Sequence, residues 1–105
     1  MSSKKKAVRD AFRIAVFKRD GHKCRFCNIT TDLDAHHITD RNEMPNGGYV
    51  KENGITLCTI HHQLAELFHS TGEAAPGFAP EDLYKKIYSS HAKAVEASEK
   101  LARKL

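Results

Sequence analysis

TLCTIHHQLAE, residues 56–66, places Cys58 and His61 in a Cys-x2-His pair and sets His61 beside His62 at the start of a helically patterned stretch. Successive helical residues lie about 100° apart, so one metal ion cannot easily use both imidazoles. The two histidines must serve different partners. ITLC, residues 55–58, reads as a strand running into this helix, which the pattern extends over residues 59–69.

His61 finds its partners upstream. Cys24 and Cys27 form a Cys-x2-Cys pair in the knuckle CRFC, and thirty residues separate it from Cys58-x2-His61. Structural zinc takes four S or N ligands tetrahedrally, and a two-residue gap lets both members of a pair reach one ion from a tight turn. Three cysteines, an odd number, fit a metal set better than a disulfide framework. A redox role for CRFC is weaker, because it opens no strand-to-helix redox motif. At 105 residues the chain suits one domain with a small core. Zinc, worth on the order of 10 kcal/mol in small domains, would offset that.

The rest of the chain frames these pairs. MSSKKK, residues 1–6, reads as a flexible basic tail, and residues 7–105 as a single domain. Val8, Phe12, Ala15, Val16 and the Arg19 stem, widened by Ile14 and Phe17, predict a helix from Ala7 to about Arg19 that Gly21 ends. LDAHHI predicts a short strand; TDRNEMPNGGYVKENG is too turn-rich for more than a loop with a little strand, and NGG, residues 46–48, predicts a turn. After the surface linker STGEAAPGFAP, one closing helix is expected over residues 81–104. Pro80 stands at its start, Leu83, Tyr84, Ile87 and Tyr88 on its apolar face, and Lys100, Arg103 and Lys104 in its last turn. The expected class is α+β.

Charge is uneven. Residues 1–25 carry nine Lys/Arg against two acids, whereas residues 26–105 carry eight against eleven, within a net +4. A basic end suggests a polyanionic partner, nucleic acid foremost. No apolar run approaches the roughly 18 residues that span a bilayer, and the N-terminus lacks the apolar core of a signal peptide, so the expectation is a soluble cytoplasmic protein without membrane association.

A second cluster comprises His36, His37, Asn53 and His62. On a strand, His36 and His37 point to opposite sides, so one imidazole can face a metal and the other a substrate. Phosphodiester hydrolysis uses that division: a divalent cation stabilises charge on the phosphate, and a neutral imidazole takes a proton from water. Asp34, two residues before His36, can share its side of the strand. Arg41 and Lys51 in the loop are candidates for phosphate contact.

LDAHHI, then Asn53 sixteen residues after His37, then NGITLCTIHH with His62 nine residues after Asn53, resembles the HNH endonucleases, across about residues 12–69. The resemblance implies a ββα-metal fold stapled by structural zinc at Cys24, Cys27, Cys58 and His61. His61 stands where these proteins usually carry a cysteine. It implies His37 as general base, His36 and His62 as ligands of a catalytic Mg2+, Mn2+, Ni2+ or Zn2+, and Asn53 as the residue that holds the loop and orients His37. Glu66, one helical turn after His62, is a candidate third ligand, and His69 lies on the same helix face. The implied activity is DNA hydrolysis leaving 3′-hydroxyl and 5′-phosphate ends, in a bacterial or phage-infected cell. Lys4, Lys5, Lys6, Arg9, Arg13, Arg41 and Lys51 would contact the backbone, and a homodimer or partner protein would supply specificity. A zinc-stapled nucleic-acid-binding module, or a subunit of a larger nuclease assembly, would share the zinc ligands and the basic end and differ only at His36, His37, Asn53 and His62.

Overall fold

Two strands, β1 (Leu33–His37) and β2 (Gly54–Cys58), pair antiparallel with Leu33 opposite Cys58 and His37 opposite Gly54. This register divides the side chains between two faces, because successive strand residues alternate. His37 and Thr56 face helix α1 (Ser2–Arg19), while Asp34 and His36 face helix α2 (Thr59–Thr71), which follows β2 directly. The computed structural model describes residues 2–101, with side chains from Lys5 onward. The Lys4 side chain, and Arg103 and Lys104 at the expected helix end, lie outside the described residues.

α1 begins at Ser2, so the segment expected as a flexible tail forms the first turns of the helix. Lysine is a good helix former, and Lys6 reaches Asp10 one turn on at 2.8 Å, a pair worth about 0.3–0.5 kcal/mol at an exposed site. Phe12 and Val16 are buried against Gly54, where a Cβ would meet the Phe12 ring and the Val16 methyl within 2.7 Å. Ile14, expected in the apolar stripe, is instead 65% exposed. α1 is tied down at its end by charge. Arg19 grips the buried Asp20 with two 2.8 Å bonds, and Asp20 accepts the Thr56 N–H at 2.8 Å.

The remaining core gathers on the α2 side: Ile38, Ile55, Leu57, Ala65, Leu83, Ile87 and Ala94 are all buried. Each fully buried Leu or Ile contributes about 1.5–3 kcal/mol. The 39–53 loop holds no strand; it is three 3₁₀ turns. The expected closing helix is two helices, α3 (Pro80–Lys86) and α4 (His91–Leu101). Tyr88 adopts φ 56° and is 87% exposed, leaving the apolar face it was assigned. The Ser90 hydroxyl then accepts the Lys93 N–H at 3.1 Å and caps α4. Among the described residues, no helix is long and apolar enough to cross a membrane.

Candidate functional site

The four zinc-type residues meet. Cys24, Cys27, Cys58 and His61 place one donor each within 4.8 Å of one another, in a group that could hold a metal ion. The Cys27 and Cys58 sulfurs are 3.7 Å apart, far beyond the roughly 2.05 Å of a disulfide. A zinc tetrahedron with Zn–S near 2.3 Å and Zn–N near 2.05 Å has edges of about 3.8 Å between sulfurs and about 3.5 Å from sulfur to nitrogen. His61 Nδ1 lies 3.5 Å from the Cys24 sulfur and 3.3 Å from that of Cys58. The donor set and its spacing fit zinc.

Local electrostatics favour a thiolate here. Burial pushes the Cys24 thiol up, but the backbone N–H groups of Cys58, Phe26 and Cys27 outweigh it and bring the pKa down to about 6. The His61 ring is clasped by aromatics: Phe26 stacks on it at 5.3 Å, Phe78 at 5.9 Å, and the two phenyl rings stack on each other at 4.5 Å. Phe78 comes from the segment expected to be a surface linker, and its side chain is buried.

One helical position on, His62 faces elsewhere. Its Nε2 lies 3.2 Å from Glu66 Oε1, and its Nδ1 lies 3.2 Å from Asp34 Oδ2. His36 Nδ1 is 3.3 Å from the same Glu66 oxygen, and His36, His62 and Glu66 form the second group with metal-ligand spacing. His36 is 1% exposed, yet neither ring nitrogen makes a directed hydrogen bond, and the 3.3 Å approach to Glu66 is off-line. A buried imidazole with two unsatisfied nitrogens is a costly arrangement, and a coordinated cation would satisfy one of them. Burial first, and then the neighbouring His62, His69 and His37, lower its pKa to about 3, which keeps it neutral and able to ligate.

His37 occupies the opposite face of β1. Its ring stacks on Phe12 at 4.4 Å and meets Tyr49 edge-on at 4.8 Å, and its buried Nε2 has no hydrogen-bond partner. Burial, reinforced by the Arg41 guanidinium, lowers its pKa to about 4. His36, His37, His62, Glu66 and Arg41 all line one pocket of about 310 Å³. A larger groove of about 860 Å³ between α1 and α4 contains none of these histidines.

Asn53, expected to hold the loop and orient His37, bonds the backbone of the loop and not the His37 ring. Its Oδ1 accepts from the Thr39 N–H at 3.0 Å and its Nδ2 donates to the carbonyls of Thr39 and Gly48. The Asn53 carbonyl takes the Ile38 N–H at 2.9 Å, so the residue acts on the backbone that follows His37. The His37 carbonyl is itself held by His69 Nε2 at 3.0 Å.

The basic candidates separate. Arg41 reaches the histidine pocket, whereas Lys51 lines the other groove. The Arg13 guanidinium lies over Phe17 at 5.2 Å, and Lys5, Lys6 and Arg9 are exposed on α1. Tyr49 and Tyr84 carried no signal as site residues in sequence, beyond the glycine pair that precedes Tyr49. Comparison of the chain with protein-family models, curated proteins and solved structures found no match.

Proposed function

We propose that this protein is a zinc-stapled, metal-dependent nuclease of the HNH, ββα-metal kind that hydrolyses phosphodiester bonds in DNA. The observation that carries the reading is the division of the two adjacent histidine pairs. His61 joins the cysteine group while His62 joins His36 and Glu66, and His37 lies across the strand from His36 with a free nitrogen.

Cys24, Cys27, Cys58 and His61 would hold a structural zinc that fixes the start of α2 and with it the position of His62. A divalent ion held by His36, His62 and Glu66 would supply Lewis-acid stabilisation of the phosphate charge and of the leaving oxygen. His37, neutral at physiological pH, takes a proton from the attacking water. The negative phosphodiester beside it raises its affinity for that proton as the reaction proceeds. Water oxygen bonds to phosphorus, the bond to the 3′ oxygen breaks, and that oxygen leaves with the bonding electron pair and takes a proton from solvent water. The aromatic clasp of Phe12 and Tyr49 restricts the His37 ring to one orientation.

Plasmid DNA incubated with the protein and Mg2+, Mn2+ or Ni2+ should be nicked or cut, and EDTA should stop the reaction. His37→Ala should abolish cutting while one zinc per chain and the fold are retained. Cutting at the native rate by His37→Ala would refute the assignment.

A further inference from the structure

The peptide unit that follows His37 is gripped at both of its ends. Its N–H, on Ile38, donates to the Asn53 carbonyl at the entrance to β2, across 2.9 Å. Because that peptide is trans, its carbonyl, on His37, points the other way, to the open edge of the two-stranded sheet. An edge carbonyl has no strand to pair with, and His69 Nε2 meets it at 3.0 Å. A carbonyl only accepts, so His69 carries a proton on Nε2.

His69 comes from the helix that bears the metal-type residues. His62, Glu66 and His69 stand at i, i+4 and i+7, so they share one face of α2. All three line the histidine pocket with His36 and His37. His62 and Glu66 belong to the group with metal-ligand spacing; His69 does not, and its Nε2 is engaged by the carbonyl. α2 is held at both ends, by His61 among the cysteines and by the Gly72 N–H on the Phe68 carbonyl at 2.8 Å. The helix therefore fixes His69 relative to His62, about 10.5 Å apart along its axis. The His37 ring has no comparable anchor. Phe12 and Tyr49 pack against it, and its Nε2 has no hydrogen-bond partner. Its distance from the metal-type group is set through its backbone.

We propose that His69 is a positioning residue for His37: its bond to the His37 carbonyl locks the base to the helix that carries His62 and Glu66, and so sets the reach from base to reacting phosphate. The role rests on the nuclease reading. A displacement of about 1 Å in such a reach costs on the order of a hundredfold in rate, far more than one neutral hydrogen bond changes folding. The bond needs the donor and not the ring, so another side chain that brings an N–H to the same place should serve.

The test compares His69→Phe, which keeps a ring and loses the donor, with His69→Gln, whose amide nitrogen stands as many bonds from the backbone as imidazole Nε2 and keeps an N–H. The zinc-loaded full chain is measured for plasmid cleavage kinetics in Mn2+, for Ni2+ affinity by titration calorimetry, and for the carbonyl carbon shift of His37 by NMR. His69→Phe should lower kcat by about ten- to a hundredfold, leave KM and Ni2+ affinity within about threefold, and move the His37 shift toward that of a free carbonyl. His69→Gln should recover the shift and bring kcat to within about threefold of native. Val95→Ala, which trims a residue packed on the core outside the pocket, should lower thermal stability and leave kcat unchanged. Native kcat in His69→Phe, or equal kcat losses in the two His69 variants, overturns the role. A fall in kcat in Val95→Ala as large as in His69→Phe overturns it as well. So does a loss of about tenfold or more in Ni2+ affinity in both His69 variants, which would make His69 a metal ligand. Each of these results, in a native protein that cuts, leaves the nuclease reading standing. A native protein that binds Ni2+ yet cuts with no metal overturns both.

Discussion

The Tyr84 hydroxyl donates to Asn53 Oδ1 across 2.7 Å and lies 2.6 Å from the Thr39 hydroxyl, so a residue of α3 completes the hydrogen-bond shell of a fully buried amide. With Thr39 N–H on the same oxygen and the Thr39 and Gly48 carbonyls on Nδ2, all four hydrogen-bonding positions of the Asn53 side chain are used. The loop behind His37 is thereby braced from the far end of the chain.

Tyr84→Phe removes that brace with little change in volume. It should cost about 1–2 kcal/mol, because Asn53 Oδ1 keeps one of its two donors. In a domain of this size the midpoint of thermal unfolding should fall by roughly 4–16 °C. Asn53→Ala takes their side-chain partner from the Thr39 N–H and the Thr39 and Gly48 carbonyls, while the Tyr84 hydroxyl keeps Thr39, and should cost more, about 3 kcal/mol or above. Thermal melts of the zinc-loaded proteins check both; a Tyr84→Phe protein as stable as the native one would show that the brace contributes nothing.

His61 and His62 should separate in metal analysis. His61→Ala opens the Cys3His group and should drop bound zinc well below one per chain, with unfolding as the consequence. His62→Ala should keep its zinc and its circular dichroism but weaken Mn2+ or Ni2+ binding, by tenfold or more in a titration. Equal zinc loss in both variants would contradict the assignment of the two rings to different ions.

Removal of zinc with a strong chelator should unfold most of the chain, since a structural site of this kind contributes on the order of 10 kcal/mol and the hydrophobic core is small. Far-ultraviolet circular dichroism during chelation, followed by zinc re-addition, measures this directly. Retention of native helicity in the zinc-free protein would count against it.

Acid should destabilise the protein through its buried histidines. His36 is held at about 3 and His37 at about 4, both below the ordinary value near 6.5. Their folded pKa values are depressed, so the unfolded chain takes up protons that the native state refuses as pH falls below 6.5. Stability is therefore complete above pH 6.5 and declines down toward pH 3–4, by about 1.4 kcal/mol per pH unit for each proton. Comparing the zinc-loaded native protein with His36→Asn isolates one of the two protons, because zinc release is common to both. An identical pH slope in the two proteins would rule out the contribution of His36.

Gly47 and Gly48 adopt φ of +80° and +65°, and a Cβ at Gly48 would meet Asn53 Nδ2 at 2.7 Å. Gly47→Ala should displace the Tyr49 ring and Gly48→Ala the Asn53 amide, each at about 1–3 kcal/mol. Urea unfolding checks the cost; Gly48→Ala should cost more, because its obstacle is a buried polar network and not one partly exposed ring. Equal unfolding midpoints for native and Gly48→Ala proteins would show that the contact is relieved without strain.

Ligand-type residues and their separation into two groups were legible in the sequence because they depend on local geometry, whereas the choice of His36 over His37 as the partner of His62 was implied only by the family resemblance. Cys-x2-Cys and Cys-x2-His spacings bring donors together within a turn, and adjacency on a helix or strand forces His61 from His62 and His36 from His37. Glu66 was legible as the residue one turn after His62 for the same reason. NGG announced a turn, but not that its glycines make room for Tyr49 and Asn53. The break in the last helix was carried by Ser90 as a cap and by Tyr88 in the left-handed region, signals too weak against a strong helical pattern.

Tertiary structure alone decided the partners that lie far apart in the chain. Arg41 reaches Tyr49, Tyr84 closes the shell of Asn53, and Phe78 covers His61 because helices and loops from both ends pack onto a two-stranded sheet. Hydrophobic burial drives that packing and carries no address for individual side chains. Local spacing therefore determined which residues can hold metal, and only the folded chain determined which residues clasp, brace and charge the pocket around them.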